Sequence, residues 1–210
     1  MMSASIIWRR LAHRFKTACI CIVFQAMTVL ASRLKPSATT FKEVGRSRYI
    51  TDAEFDQVKA HAHFTVVDAM DLALLTGQRP ADVLKLKRTD IRDGALWIVQ
   101  NKTGVRLGIE VTGELAAVIV RINERPRRAI SAWLVQDESG QPLSSFALRS
   151  RFDKARTLAG VDFQFRDIRA KAATDTGDLA HAQKLLAHKN REMTEHYVKS
   201  RVGDRVRPLR

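Results

Sequence analysis

Apolar residues recur along most of the chain with the 3.6-residue period of an α-helix. Thr51 and Glu54 have the spacing of an N-terminal capping box, and Phe55, Val58 and Ala62 form the apolar stripe of the helix that begins there. The same pattern predicts further helices at residues 66–75, 81–86, 114–123, 145–158 (capped by residue 144 or 145), 168–174, 179–187 and 192–199.

In the middle of the chain the pattern changes to that of extended strands. Residues 95–99 and 106–111 predict two strands, and Gly104 lies in the turn between them. A short apolar run at residues 132–135 predicts a third strand. Together these patterns predict a mainly α fold with a small antiparallel β-sheet, an α+β protein.

The charge balance points to the kind of partner. The chain has 36 Lys and Arg against 22 Asp and Glu, a formal net charge of +14. This balance favours a polyanion, because each phosphate neutralised by Lys or Arg releases condensed counterions. An apolar share of 45% is enough for a packed core, so the charge does not indicate a disordered chain.

Cysteine content and the first residues bear on cellular location. Cys19 and Cys21 are too close for an ordinary disulfide, and no Cys/His set has zinc spacing, so we expect a reduced, cytoplasmic protein without a structural metal. The apolar run at residues 18–31 is shorter than the ~20 residues that span a bilayer, so a membrane partner is not expected. A signal peptide is the less favoured alternative to an amphipathic or buried helix.

Five residues with suitable chemistry follow one another in a distinctive order. Arg79 ends a Thr-Gly-x-Arg motif, Lys102 lies in the predicted hairpin, Arg169 ends the run at residues 165–169, and His188 precedes Tyr197 by nine residues. This order resembles the catalytic domain of the tyrosine recombinase (phage integrase) family, and the resemblance covers roughly residues 51–199.

The resemblance implies a role for each of the five residues. Tyr197 would attack a DNA phosphate, and Arg79 and Arg169 would bind the non-bridging oxygens, on which negative charge builds up. Lys102 would protonate the leaving 5′ oxygen, and His188 would complete the set. The attack would conserve bond energy in a phosphotyrosine ester, so neither ATP nor a small-molecule cofactor is expected. The absence of an acidic cluster in the sequence argues against a two-metal nuclease.

One position departs from the family pattern. The family usually has histidine three residues before the second arginine, where this sequence has Arg166. Arginine keeps a positive charge and hydrogen-bond donors but does not act as a base at neutral pH. Arg166 is therefore included among the catalytic candidates as a phosphate-binding substitute. Asp82 is expected either to orient Arg79 or to be a solvated helix carboxylate.

The resemblance also predicts the domain organisation. Residues 1–40 form an atypical basic and apolar segment, 41–50 a linker, 51–200 the catalytic domain and 201–210 a basic tail. Residues 1–40 do not resemble the N-terminal core-binding domain of the family, so we expect that domain to be missing from this sequence. The expected partners are double-stranded DNA and further copies of the chain assembled on it.

Three alternatives stay open from the sequence. The chain is either a recombinase that integrates or exchanges DNA, or a non-catalytic DNA-binding remnant, which Arg166 and the missing domain would favour. A third possibility is a type IB topoisomerase, which would use the same chemistry to relax supercoils. These alternatives differ in whether a covalent adduct forms and whether recombinant DNA appears.

Overall fold

A computed structural model of the protein describes residues 49–125 and 131–198. The predicted segments 1–40 and 201–210, and most of the predicted linker 41–50, lie outside these residues. Within them, the helices are α1 Asp52–His61, α2 Phe64–Thr76, α3 Pro80–Val83, α4 Gly113–Glu124, α5 Ser145–Leu158, α6 Ile168–Asp175, α7 Leu179–Leu186 and α8 Arg191–Val198. The strands are β1 Ile91–Arg92, β2 Ala95–Val99 and β3 Arg106–Glu110.

The capping box predicted for α1 is confirmed. The Thr51 hydroxyl accepts a hydrogen bond from the Glu54 amide at 3.3 Å, and the Glu54 carboxylate accepts one from the Thr51 amide at 3.0 Å. These two bonds satisfy N–H groups that have no partner inside the helix. Phe55 and Val58 of the predicted apolar stripe are buried in the core.

The sheet has the order β1-β2-β3 with both pairs antiparallel, and β2 and β3 pair in the register Trp97 to Gly108. The prediction of a third strand at residues 132–135 is wrong. That run makes an isolated bridge between Lys87 and Trp133, and the third strand is instead β1. Leu134 and Val135 are both buried, so the run is apolar because it crosses the core and not because it joins the sheet.

The helix predicted at residues 81–86 is also shorter than expected. It ends at Val83, and the chain then turns into a 3₁₀ segment at Arg88–Asp90 that leads directly into β1. The Leu86 carbonyl accepts a bond from the Leu134 amide instead of continuing the helix. Long-range pairing therefore overrides the local helical pattern at this position.

Helix α2 lies at the centre of the core, in contact with α4, α5 and α6. Nine of its residues are buried, among them Val66, Met70 and Leu72. A second, smaller apolar cluster joins α6, α7 and α8 around Ala173, Ala182 and Leu186.

Buried carboxylates on α2 fix its position. Asp68 and Asp71 accept hydrogen bonds from Arg121 on α4 at 3.1 and 2.8 Å. Arg125 also binds Asp68, and Lys59 on α1 lies 2.7 Å from Asp71. A buried carboxylate left unpaired would cost several kcal/mol, so this network holds α2 in one orientation. Among the described residues, no helix is both long enough and apolar enough to span a bilayer.

Candidate active site

The turn after α2 places the first candidate arginine. Gly77 ends the helix at φ 64°, in the left-handed region that glycine adopts without steric cost. Arg79 then takes an extended conformation at the N-cap of α3, with Pro80 at the first helical position. This turn leaves the Arg79 side chain about a quarter exposed and the Gly77 carbonyl directed toward α6.

Arg169 on α6 is the most buried member of the candidate set, with 3% of its surface exposed. Its guanidinium donates to the carbonyls of Gly77 and Leu186, the latter at 2.7 Å, and to Nε2 of His188 at 3.2 Å. Its Nε is buried and has no hydrogen-bond partner among the described residues. The three bonds hold the guanidinium plane in one orientation.

His188 is held in one tautomer by its two neighbours. Because Nε2 accepts from Arg169, the proton lies on Nδ1, which donates to the Thr194 hydroxyl at 3.0 Å. Burial, and then the positive charges of Arg169 and Arg79, lower the pKa of His188 to about 4. His188 is therefore neutral at physiological pH and is a hydrogen-bonding group with no charge of its own.

Tyr197 lies beside this pair. Its ring centroid is 5.5 Å from that of His188, and the ring packs against the cluster of Ala173, Ala182 and Leu186. Tyr197 also acts on Arg169, whose pKa it raises against the effects of burial and of Arg79. The side chain is half-buried, which leaves part of it open to a substrate.

The two arginines create a strongly positive site. Burial, followed by the charge of Arg79, lowers the pKa of Arg169 to about 10, so the Arg169 guanidinium is still charged at neutral pH. Arg79 donates to the Gln100 side chain at 3.4 Å and lies 4.0 Å from the Asp82 carboxylate. Two cations held close together with one nearby carboxylate favour an anion such as a phosphate.

Lys102 lies on the β2–β3 hairpin, two residues after Gln100, whose side chain accepts from Arg79. Its side chain is exposed and makes no hydrogen bond or ion pair with the described part of the chain. The neighbouring Asn101 amide donates to Asp82 at 2.8 Å, and Asp82 is 3% exposed. Asp82 is therefore a buried carboxylate and not a solvated one. Its hydrogen bond to the hairpin backbone is shorter than its contact with Arg79.

Arg166 is the candidate that the structure places outside the cluster. Its side chain is 61% exposed and lies 4.0 Å from the carboxylate of Asp167. Together with Arg149 and Arg156 it lines a cavity of about 450 Å³ beside α5. The structure therefore brings four of the six predicted residues together, has Lys102 on the hairpin that Gln100 joins to Arg79, and leaves Arg166 on a surface that it shares with Arg149, Asp153 and Arg156.

Several residues of the site were not predicted from the sequence. They are Thr194, the side-chain amides of Gln78 and Gln100, and the carbonyls of Gly77 and Leu186. A polar residue within a mostly apolar stretch, such as Gln100 after residues 95–99, is a signal of a buried hydrogen-bonding role. The carbonyls leave no sequence signal, because every residue has one.

Comparison with known proteins settles the family. The model of the phage integrase family matches residues 50–203, most of the chain. The chain belongs to the phage integrase family. Among curated relatives of this integrase-family chain, the integrase of Escherichia phage HK022 is 34% identical over 146 residues, which is 63% of this chain and 41% of that integrase. The integrase of Enterobacteria phage 434 is 30% identical over 210 residues, 93% of this chain and 57% of that protein.

Solved structures agree with this assignment. A lambda integrase (75-356) dimer bound to a COC′ core site has a TM-score of 0.67 at 26% identity, covering 76% of this integrase-family chain and 62% of that chain. The lambda integrase catalytic core has a TM-score of 0.59 at 27% identity, and the match covers 67% of this chain and 95% of that one. The predicted family and fold class are confirmed. The chain spans between two fifths and three fifths of the length of the curated relatives named above.

Proposed function

We propose that this chain cleaves and rejoins double-stranded DNA through a covalent 3′-phosphotyrosine, the chemistry of site-specific recombination and integration. The observation that carries the proposal is the meeting of two charged arginines, a neutral histidine and a half-buried tyrosine from four different parts of the chain. Ordinary packing has little reason to bring a buried arginine close to a second one, whereas a phosphate would stabilise both.

The proposed reaction uses these groups as follows. The Tyr197 phenol oxygen attacks the phosphorus, its proton passes to solvent, and the bond from phosphorus to the 5′ oxygen breaks. Arg79 and Arg169 bind the non-bridging oxygens as their negative charge grows. Lys102, whose exposed side chain lies on the hairpin, gives a proton to the departing 5′ oxygen. Religation runs the same steps backward with a different 5′ hydroxyl.

The neutral histidine has a specific part in this scheme. Because Nε2 of His188 accepts from Arg169, it fixes the guanidinium beside the tyrosine. With a pKa of about 4 and its lone pair engaged, His188 is a poor base, so its contribution is to orientation and not to proton removal. Arg166, at the position where the family usually has histidine, is proposed to bind DNA phosphate on the surface that it shares with Arg149 and Arg156.

We also propose that the chain acts in the cytoplasm and associates with further copies of itself on DNA. Lambda integrase has been solved as a dimer bound to a core site and as a tetramer bound to a Holliday junction, which supports this proposal. The net charge of +14 agrees with a DNA partner and predicts binding that weakens as salt is raised.

The test is a covalent-trapping assay. A nicked DNA duplex carrying candidate attachment sequences is incubated with the protein without metal, and the products are separated on a denaturing gel. Because of the nick, the short fragment that carries the new 5′ hydroxyl diffuses away after cleavage, so a protein–DNA adduct accumulates. The expected result is an adduct that Tyr197→Phe abolishes. The matched control is Tyr49→Phe, since Tyr49 is the other of the two tyrosines and bonds to Lys171 and Asp175 instead.

Two results would overturn the proposal. An adduct that persists in Tyr197→Phe would show that another residue is the nucleophile. Clear salt-dependent DNA binding without any adduct would identify the chain as a non-catalytic DNA-binding protein.

A further inference from the structure

Two glutamine side chains are buried between the hairpin and the C-terminal end of α7. Gln78 and Gln100 are each 1% exposed, in a region where each buried amide needs hydrogen-bond partners. A side-chain amide offers two N–H donors and an oxygen with two acceptor positions. The partners of these two amides come from three separate segments of the chain.

Gln100 has all four of its hydrogen-bonding positions filled. Its Nε2 donates to Oε1 of Gln78 at 2.8 Å and to the Leu186 carbonyl at 3.1 Å. Its Oε1 accepts from the Thr103 hydroxyl at 2.8 Å and from Arg79 Nη1 at 3.4 Å. Rotating the amide by half a turn would place its oxygen against two acceptors, so only one orientation is stable.

The contacts of Gln78 complete the connection. Its Nε2 donates to the Thr76 carbonyl at 2.9 Å and to the Leu185 carbonyl at 3.2 Å. The Leu186 carbonyl, which accepts from Gln100, also accepts from Arg169 at 2.7 Å. The hairpin, the Thr-Gly-x-Arg motif and the residues before His188 are thus joined through buried polar groups.

This arrangement fixes the backbone on both sides of Lys102. On one side the backbone N–H of Asn101 donates a hydrogen bond to Asp82, and the Lys85 ammonium lies 2.6 Å from the side-chain oxygen of Asn101. On the other side the Thr103 hydroxyl is held by Gln100. Lys102 itself is exposed between these two anchors. Its backbone is held in place while its ammonium stays free to move.

We propose that Gln100 is a positioning residue for the general acid. Through Thr103 it holds the hairpin that carries Lys102 in register with the phosphate-binding arginines Arg79 and Arg169, using Gln78 and the Leu186 carbonyl as its fixed support. The inference rests on the proposed function and extends it. Its consequence is specific: loss of the Gln100–Thr103 bond impairs protonation of the leaving oxygen, not stabilisation of the phosphate charge.

Leaving-group chemistry separates these two effects. An alkoxide is a poor leaving group and needs a proton, whereas a thiolate leaves readily because the pKa of a thiol is near 8.5. A DNA substrate with sulfur in place of the bridging 5′ oxygen at the scissile phosphate therefore does not depend on Lys102. It still depends on Arg79, Arg169 and Tyr197.

The experiment measures single-turnover adduct formation, with protein saturating, on the oxygen and sulfur substrates. Thr103→Val removes the hydroxyl from an exposed hairpin position, so it leaves the fold intact. Gln100→Leu removes the amide itself, and its melting temperature is measured alongside. The matched control is Thr157→Val, because the exposed Thr157 hydroxyl has, among residues 49–125 and 131–198, the Asp153 carbonyl of its own helix as its one hydrogen-bond partner.

The expected result is that Thr103→Val and Gln100→Leu cleave the oxygen substrate about tenfold or more slowly, a part of the ~10²–10⁴-fold that a general acid contributes. On the sulfur substrate Thr103→Val should stay within about threefold of the Thr157→Val control, because that reaction needs no general acid. Equal losses on both substrates would overturn the inference, because the bond would then serve the arginines or the fold. Unchanged rates in Thr103→Val would overturn it as well.

Failure of the proposed function gives a different result. If the unmodified protein forms no adduct with either substrate, the chain does not cleave, and this inference fails with the function on which it rests. If the protein cleaves and Thr103→Val matches Thr157→Val on both substrates, only the role of Gln100 is refuted.

Discussion

Replacing Gly77 with alanine tests how the site depends on one turn. Gly77 has φ +64°, and a left-handed conformation costs an ordinary L-residue about 1–2 kcal/mol. A Cβ at this position would lie 3.1 Å from the Leu186 side chain and 3.2 Å from that of Leu185. Those neighbours would have to move by a few tenths of an ångström.

The displacement would act on the site through the backbone. The Leu186 carbonyl accepts from Arg169 and Gln100, and the Gly77 carbonyl accepts from Arg169 as well. Because a misplacement of about 1 Å in a catalytic group costs on the order of 10²-fold, a shift of a few tenths should slow adduct formation by about tenfold. The conformational cost alone should lower the melting temperature by roughly 2–8 °C.

Gly160→Ala is the matched control. Gly160 has φ +66°, and a Cβ built there meets no atom of the described residues within 4 Å. It should show the same loss of melting temperature from the left-handed backbone, without the loss of cleavage rate. The assay is single-turnover adduct formation at a temperature well below both melting points. Cleavage by Gly77→Ala within about twofold of Gly160→Ala would refute the reasoning.

Three further substitutions test other features of the site. The pKa of His188 is about 4 in the folded chain, below its ordinary 6.5, so the unfolded chain binds the proton more tightly. The neutral histidine therefore contributes to the free energy of unfolding, and this contribution is complete above pH 6.5 and is lost as pH falls toward 4. In chemical denaturation, the free energy of unfolding of the wild type should therefore fall by up to about 3 kcal/mol more than that of His188→Gln over this pH range, and equal decreases would contradict this prediction. Ala187→Gly should raise the free energy of unfolding by about 0.5–1 kcal/mol in the same assay, because Ala187 has φ 51° without being glycine, and a decrease would count against this argument. Arg166→His should form adduct at least as fast as wild type, since Arg166 lies outside the cluster of Arg79, Arg169, His188 and Tyr197; complete loss would show that Arg166 makes a contact that histidine does not.

The sequence predicted the parts of the fold that depend on local patterns. The capping box at Thr51, the two long strands and the helical C-terminal half all appear close to their predicted bounds. The third strand was misplaced, because the apolar run at residues 132–135 reflects burial, which periodicity does not distinguish from strand pairing in a short run. Helix α3 was predicted too long, since the bond from Leu134 to the Leu86 carbonyl comes from a distant segment.

The candidate site was predictable only in part. The order of Arg79, Arg169, His188 and Tyr197 pointed to residues that the structure brings together. The tautomer of His188 was not predictable, because it depends on Thr194 and Arg169 together. The outward orientation of Arg166 was likewise hidden, since a motif gives the residue at a position and not the direction of its side chain.

The docking of α8 has a consequence for how copies of the chain would cooperate. Tyr197 packs on α6 and α7 of its own chain, beside the arginine that those helices hold. Within the described residues, one chain therefore brings Arg79, Arg169, His188 and Tyr197 together by itself. Under the proposed function, assembly on DNA would then serve to align two duplexes and to select which of these sites cleaves.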